Sequence, residues 1–125
     1  IAARCDRIID ANPKARICLI TSWSGTKGSY DMAYAGSKAA MDLYIRTKKL
    51  THPGQQIVGI APHIVSPSGM TDRRDDQEAL TLRREDRRRQ EWISPADVAK
   101  LAHFLLFVDS GNITNTVIPI TGGDE

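Results

Sequence analysis

The chain has 125 residues, enough for one modest domain with a core, and its 41% hydrophobic and 26% charged content is ordinary for a soluble globular protein. Seventeen Lys and Arg stand against 15 Asp and Glu, a net charge of +2, which gives no basic stripe for nucleic acid and excludes polyelectrolyte binding as the basis of function. No apolar run nears the roughly 20 residues that span a bilayer, and Ile1–Arg7 lacks a signal peptide's apolar stretch, so no membrane partner is expected.

Apolar residues at Ile1, Cys5, Ile8 and Ile9 keep a helical spacing with no capping residue before them. The chain is therefore expected to begin inside a helix, as a piece of something longer. Pro13 ends that helix, because the residue before a proline is pushed away from helical backbone. Ile17-Cys18-Leu19-Ile20 is a short continuous apolar run, suited to a strand buried on both faces of a parallel sheet. Ser22 to Tyr30, rich in Ser and Gly, is expected as a loop. From Asp31 to Leu50 the chain has no proline and many strong helix formers, so a helix is expected there.

Pro53-Gly54 makes a turn, and Gln56–Ala61 follows as a second buried strand. His63 to Met70 reads as a loop at that strand's C-terminal end. A helix is expected around Gln77–Arg89, within a segment dense in both charge signs. Ser94 caps a further helix that has Pro95 at its first position and runs to about Val108. Asn115–Thr121 gives a third strand, and Pro119 within it cannot donate to a ladder, which points to a sheet edge.

Strands alternating with helices argue an α/β fold with a parallel sheet and right-handed crossovers. Three strands are few for a doubly wound sheet, so the expectation is half of a Rossmann-like domain: three strands with flanking helices, spanning residues 1–125. Cys5 and Cys18 have neither metal-ligand spacing nor the numbers of a disulfide framework, and read as buried or half-buried thiols of a reducing, cytoplasmic compartment. Three scattered histidines give no metal spacing; His52 reads as a surface turn residue and His103 as a helix-face residue.

Tyr34 and Lys38 stand four apart on one helix, hence on one face, where a phenol and an ammonium can meet. A nearby cation favours phenolate and makes a tyrosine usable as a general acid or base. That spacing alone is common, and an amphipathic helix with a half-buried Tyr and a solvated Lys would show it too. Ser22 lies 12 residues before Tyr34, just past the C-terminal end of a buried strand, where ligands bind in open α/β sheets. A hydroxyl there can stabilise charge growing on a carbonyl oxygen; Thr21 and Ser24 are competing hydroxyls.

Thr21-Ser22-Trp23-Ser24-Gly25 followed by Tyr34-Ala35-Gly36-Ser37-Lys38-Ala39-Ala40 resembles the catalytic segment of the short-chain dehydrogenase/reductase family. Ile60–Pro67 is similar to that family's stretch beside the nicotinamide, Ser94–Ala99 to its last-helix start, and Ile120–Gly123 to its closing strand. The resemblance spans essentially the whole chain and implies the family's C-terminal half, with the dinucleotide-binding half absent and supplied by the same or a partner chain. It implies an NAD- or NADP-dependent oxidoreductase interconverting a small-molecule carbonyl and an alcohol. Ser22 would polarise the substrate, Tyr34 would transfer the proton, and Lys38 would activate Tyr34 and hold the nicotinamide ribose. Tyr34, Lys38, Pro62, His63, Ile64, Val65 and Ser66 would contact the cofactor, with Pro67 an equal claimant to the position of Ser66.

By the same resemblance residues 67–93 form a lid over the substrate, and the small residues of the catalytic helix imply a homodimer or homotetramer. The departures are the missing glycine-rich phosphate loop, the missing Asn of the proton relay, and His63 where a Gly is usual. His63 favours the alternative of a non-redox scaffold or binding subunit. Seven Arg and seven acidic residues between Thr71 and Trp92 balance, so that segment reads as a solvated, salt-bridged helix, with one Arg free to hold an anionic substrate. Trp23 and Trp92 flank the site in sequence and suit either a pocket wall or core packing.

Overall fold

The computed structural model describes residues 1–124. In chain order the elements are α1 (Ala2–Ala11), β1 (Arg16–Ile20), α2 (Ser24–Lys27), α3 (Met32–Thr47), β2 (Gln56–Pro62), α4 (Gly69–Asp72), α5 (Gln77–Glu85), α6 (Pro95–Phe107) and β3 (Thr116–Ile120). The three strands form one parallel sheet in the order β1-β2-β3, with Ile17 opposite Ile57 and Gly59 opposite Val117. The architecture is a Rossmann-like α/β sheet with helices on both faces.

The two-residue alternation of β2 divides the core between those faces. Ile57 and Ala61 join Ile17, Val117 and Ile45, with Cys5 and Ile9 of α1 packed beside them. Val58 and Ile60 point the other way, against Leu105 of α6. Every residue of β2 is buried, as its unbroken apolar run requires of a central strand. Burying an Ile side chain of this kind is worth about 1.5–3 kcal/mol, so the few fully buried Ile residues dominate the core. Pro119 lies on the edge strand, as its missing N–H demands.

Local chemistry sets the helix starts. Asp31 accepts the Tyr34 N–H and begins α3, and Ser94 and Asp97 cap α6 reciprocally with Pro95 at its first position. Other expectations are corrected. Residues 22–30 contain the short α2, and β1 is only half buried, with Ile20 44% exposed, because it lies at an edge. α5 stops at Glu85, short of Arg89. Of the apolar residues expected on one face of α1, Cys5 and Ile9 are buried, whereas Ile1 and Ile8 are exposed. Both cysteines are free, and burial pushes both thiols up, away from nucleophilic thiolate.

Candidate active site

Parallel strands bring their C-terminal ends to one edge, and backbone hydrogen bonds continue past the strands there. The Thr21 N–H donates to Ile60 O at 2.8 Å, Trp23 N–H to Pro62 O at 3.0 Å, and His63 N–H to Ile120 O at 2.9 Å. The starts of the loops after β1 and β2 are thus extensions of the sheet's hydrogen bonding.

Ser22 is 9% exposed. Its Oγ accepts the Ser24 N–H at 3.2 Å, which leaves the hydroxyl proton free to donate. The competing hydroxyl of Thr21 is buried and points at Ile60 O, 3.4 Å away. The Ser22 carbonyl accepts from Gly25 N–H, and Gly25 of α2 lies on the α3 backbone: a Cβ there would stand 2.9 Å from Lys38 C and Ala39 N. The missing side chain is what lets the Ser22 loop dock beside Lys38. The small residues of α3 therefore accept a backbone from the same chain at Lys38–Ala39, while Gly36, Ser37, Ala39 and Ala40 remain exposed.

Tyr34 occupies the first turn of α3 and is half-buried. The ammonium of Lys38 lies over its ring, 5.6 Å from the centroid. Among the described residues, neither the Tyr34 hydroxyl nor the Lys38 ammonium has a hydrogen-bond or ion-pair partner.

Sequence reasoning passed over a second pair with the same spacing, Tyr44 and Lys48, and its chemistry is the opposite. Tyr44 donates to Asp6 Oδ1 at 2.6 Å, and Lys48 donates to the same oxygen at 2.7 Å. Lys48 and then Tyr44 hold the Asp6 carboxyl below its usual range, while burial and Asp6 push the Tyr44 phenol well above its ordinary value. That pair spends its donors tying α1 to α3.

The loop carrying the expected cofactor contacts runs from buried Pro62 to half-buried Ser66. The His63 Nδ1 accepts the Ile64 N–H at 2.7 Å, and its ring faces Trp92 at 6.4 Å. Burial, then the charges of Arg87, Arg83 and Lys27, lower the His63 pKa from 6.5, with Asp124 opposing. Ile64 O accepts Ile93 N–H, Val65 bridges to Ile93, and Ser66 N–H donates to Ile93 O. The Ser66 hydroxyl contacts Asp72 Oδ1 at 3.3 Å, and Pro67 is exposed. Ile64 to Ser66 are thus stitched to Ile93, just before the Ser94 cap of α6, while Pro62 and His63 hold the sheet edge.

Two cavities, of about 570 and 240 Å³, adjoin this loop. Trp92 lines both, with Ser66 and Arg84 in the larger and His63, Arg83 and Arg87 in the smaller. Ser22, Tyr34 and Lys38 line neither, so the expected site residues are not gathered into one closed pocket. Trp92 belongs to a cavity wall, whereas Trp23 has its Nε1 buried with no hydrogen-bond partner among the described residues. The charged segment is also corrected: Arg87 is buried, at 7% exposure, rather than solvated. His52 and His103 are exposed, and no cluster of His, Cys, Asp or Glu among the described residues could hold a metal ion.

No protein-family model matches the sequence, and no curated protein matches it. Solved structures do. A 3-oxoacyl (acyl-carrier-protein) reductase from Agrobacterium tumefaciens C58, with NADP bound, superposes with a TM-score of 0.78 at 24% identity, over 91% of this chain and 46% of its own. A short-chain dehydrogenase/reductase from Brucella melitensis, glucose/ribitol dehydrogenase, gives 0.77 and 24% over 95% and 49%. An NADPH-bound short chain oxidoreductase from Pseudomonas aeruginosa PAO1, with an atypical catalytic center, gives 0.71 and 20% over 93% and 48%. The chain spans about half the length of these structures and has the fold of that half; at such identities the likeness establishes fold alone.

Proposed function

We propose that the chain is the catalytic half of an NAD- or NADP-dependent oxidoreductase that interconverts a carbonyl and an alcohol. One observation carries the reading: Ser22, Tyr34 and Lys38 keep their donor capacity unspent at the C-terminal edge of a parallel sheet, whereas Tyr44 and Lys48 have consumed theirs on Asp6. A buried structural polar group is normally satisfied by its neighbours. Unspent donors at a ligand-binding edge suit groups that act on something else.

In the reducing direction the Ser22 hydroxyl donates to the carbonyl oxygen and stabilises charge developing on it. Tyr34 gives its proton to that oxygen, and the Lys38 ammonium stabilises the phenolate left behind. The same ammonium, with no hydrogen-bond or ion-pair partner among the described residues, suits the hydroxyls of a nicotinamide ribose, and Pro62, His63, Ile64, Val65 and Ser66 would flank the nicotinamide. The cofactor, when bound, supplies the hydride. Residues 67–93 would lie over the substrate as a lid. The dinucleotide-binding half would come from the same or a partner chain, in a cytoplasmic homodimer or homotetramer; no helix among the described residues is long and apolar enough to cross a membrane.

Titrating the intact protein with NADH and NADPH while following nicotinamide fluorescence tests this reading. Enhancement by either cofactor is expected, and silence with both refutes it. One observation favours a non-redox scaffold instead: His63, half-buried against Trp92, stands where a glycine is expected beside the nicotinamide. The same titration separates the two.

A further inference from the structure

The segment between Ser66 and α6 has two parts with different attachments. In the first, α4 and α5 are held largely by short-range bonds. Gln77 Nε2 donates to Thr71 O and Arg74 O, Arg74 pairs with Asp76, and Thr71 Oγ1 reaches Val65 O. Leu80 is the buried residue of α5.

The second part, Arg87 to Ile93, is fastened to the body of the fold. Arg87 donates from Nε to Glu91 O at 2.7 Å and from Nη2 to Thr121 O at 3.0 Å. Its Nη1 lies 3.2 Å from Asp124 Oδ2, and its side chain is 5% exposed. Those two atoms are buried and not aligned as a hydrogen bond, so their attraction is coulombic. Arg88 Nε donates to Gly122 O at 3.0 Å. Gly122 and Gly123, at φ +68° and +89°, form a turn whose missing side chains leave room for the guanidinium groups: a Cβ on either would meet Arg87 Nη2 at 3.1 Å or Arg88 Nε at 3.0 Å. The Arg87 guanidinium also lies 5.2 Å over the Trp92 ring. A buried guanidinium is costly unless its partners stay in place, so the contacts that satisfy Arg87 also hold the chain around it.

We propose that Arg87 is a positioning residue that pins the C-terminal end of the 67–93 segment to the turn after β3, so that α4 and α5 swing about it while Trp92 stays as a fixed wall between the two cavities. Its consequence for substrate binding rests on the oxidoreductase reading; the pinning does not.

Amide hydrogen exchange on the intact protein tests it. In the wild type, Gln90 and Ile93 are expected to exchange at least about tenfold more slowly than the amides of α5. Arg87→Gln accelerates exchange at Gln90, Ile93 and Gly123 by at least about tenfold and leaves β2 unchanged. In a Trp23→Phe background it also opens Trp92 to acrylamide quenching. Equal exchange across α5 and 87–93 in the wild type, or an Arg87→Gln pattern like the wild type, overturns the proposal. Should Arg87→Gln fail to fold, Asp124→Asn carries the test, with acceleration of several-fold confined to the same amides expected, and no change refuting it. In turnover assays Arg87→Gln raises KM for the carbonyl substrate without changing NADPH affinity, and Arg87→Lys recovers part of the loss; a fall in kcat alone overturns the positioning role. If NADPH does not bind the wild type, the oxidoreductase reading fails while the exchange data still decide the pinning.

Discussion

Gly25→Ala probes the joint that sets Ser22 beside Lys38. The added Cβ would stand 2.9 Å from Ala39 N and Lys38 C and 3.0 Å from Asp42 Oδ2. Comfortable carbon contacts begin near about 3.5 Å, so α2 must retreat by about 0.5 Å, because the two nearest obstructing atoms are backbone and cannot rotate away. Overpacking of this kind costs about 1–3 kcal/mol, offset by about 0.4–1 kcal/mol from the stiffer unfolded chain. The net is a loss of about 1–2 kcal/mol, or about 4–8 °C in thermal midpoint for a domain of this size. Gly36→Ala is the matched control: a Cβ there meets nothing within 4 Å, on an exposed position inside α3. That change should stabilise by about 0.5–1 kcal/mol. The same substitution thus has opposite signs on two consecutive helices, measured by urea and thermal unfolding. Turnover should fall by about tenfold in Gly25→Ala alone, since displacements approaching 1 Å cost up to about 10²-fold. A Gly25→Ala protein as stable as Gly36→Ala would refute the close-packed joint.

Tyr34→Phe should abolish turnover with cofactor affinity intact, whereas Tyr44→Phe should spare turnover and lower the thermal midpoint; steady-state kinetics beside calorimetry separates the two tyrosines. Lys38→Ala should weaken both cofactor binding and turnover, and selective loss of either would reassign that residue. The Asp6 carboxyl is held below its usual range when folded, first by Lys48. Its clamp is therefore in force above the unfolded value of 3.8 and is lost as the pH falls through the lower folded value, so thermal midpoints of wild type and Asp6→Asn should converge in acid. His63 titrates in the same sense: its folded pKa lies below 6.5 because burial and the charges of Arg87, Arg83 and Lys27 disfavour the imidazolium. Stability is then full above about pH 6.5 and declines as the pH drops through the folded value, a step that His63→Gln should remove.

The fold was largely legible because its signals are local. The buried run of β2, the Ser94 cap with Pro95, and the proline on an edge strand each follow from a few adjacent residues. What escaped depends on partners distant in sequence. Ser24–Lys27 has no apolar periodicity, and it is a helix packed on α3 through Gly25. Arg87 looks like its neighbours in a run of charge. Its destination, the carbonyl of Thr121 and the carboxylate of Asp124, lies more than 30 residues away, and residues 86–89 fall outside the helix expected over Gln77–Arg89. Charge balance is a composition argument and cannot say which of seven arginines leaves the solvent.

The site shows where spacing stops informing and topology takes over. Tyr34 with Lys38 and Tyr44 with Lys48 are identical as sequence pairs; the first lies within α3, and the second runs from its last turn to its C-cap. Helical geometry lets each phenol meet its own ammonium, so the four-residue interval cannot choose between them. The order of elements can. In a right-handed crossover between parallel strands, the helix starts at the edge where the strands end, which is where ligands bind. Tyr34 lies in the first turn of α3, at that edge. Tyr44 is ten residues further along, about 15 Å toward the opposite edge, where α1 offers the carboxylate of Asp6 and the polar groups are consumed in holding helices together. A pair at the start of a crossover helix stays available to a ligand, and a pair at its end is drawn into packing.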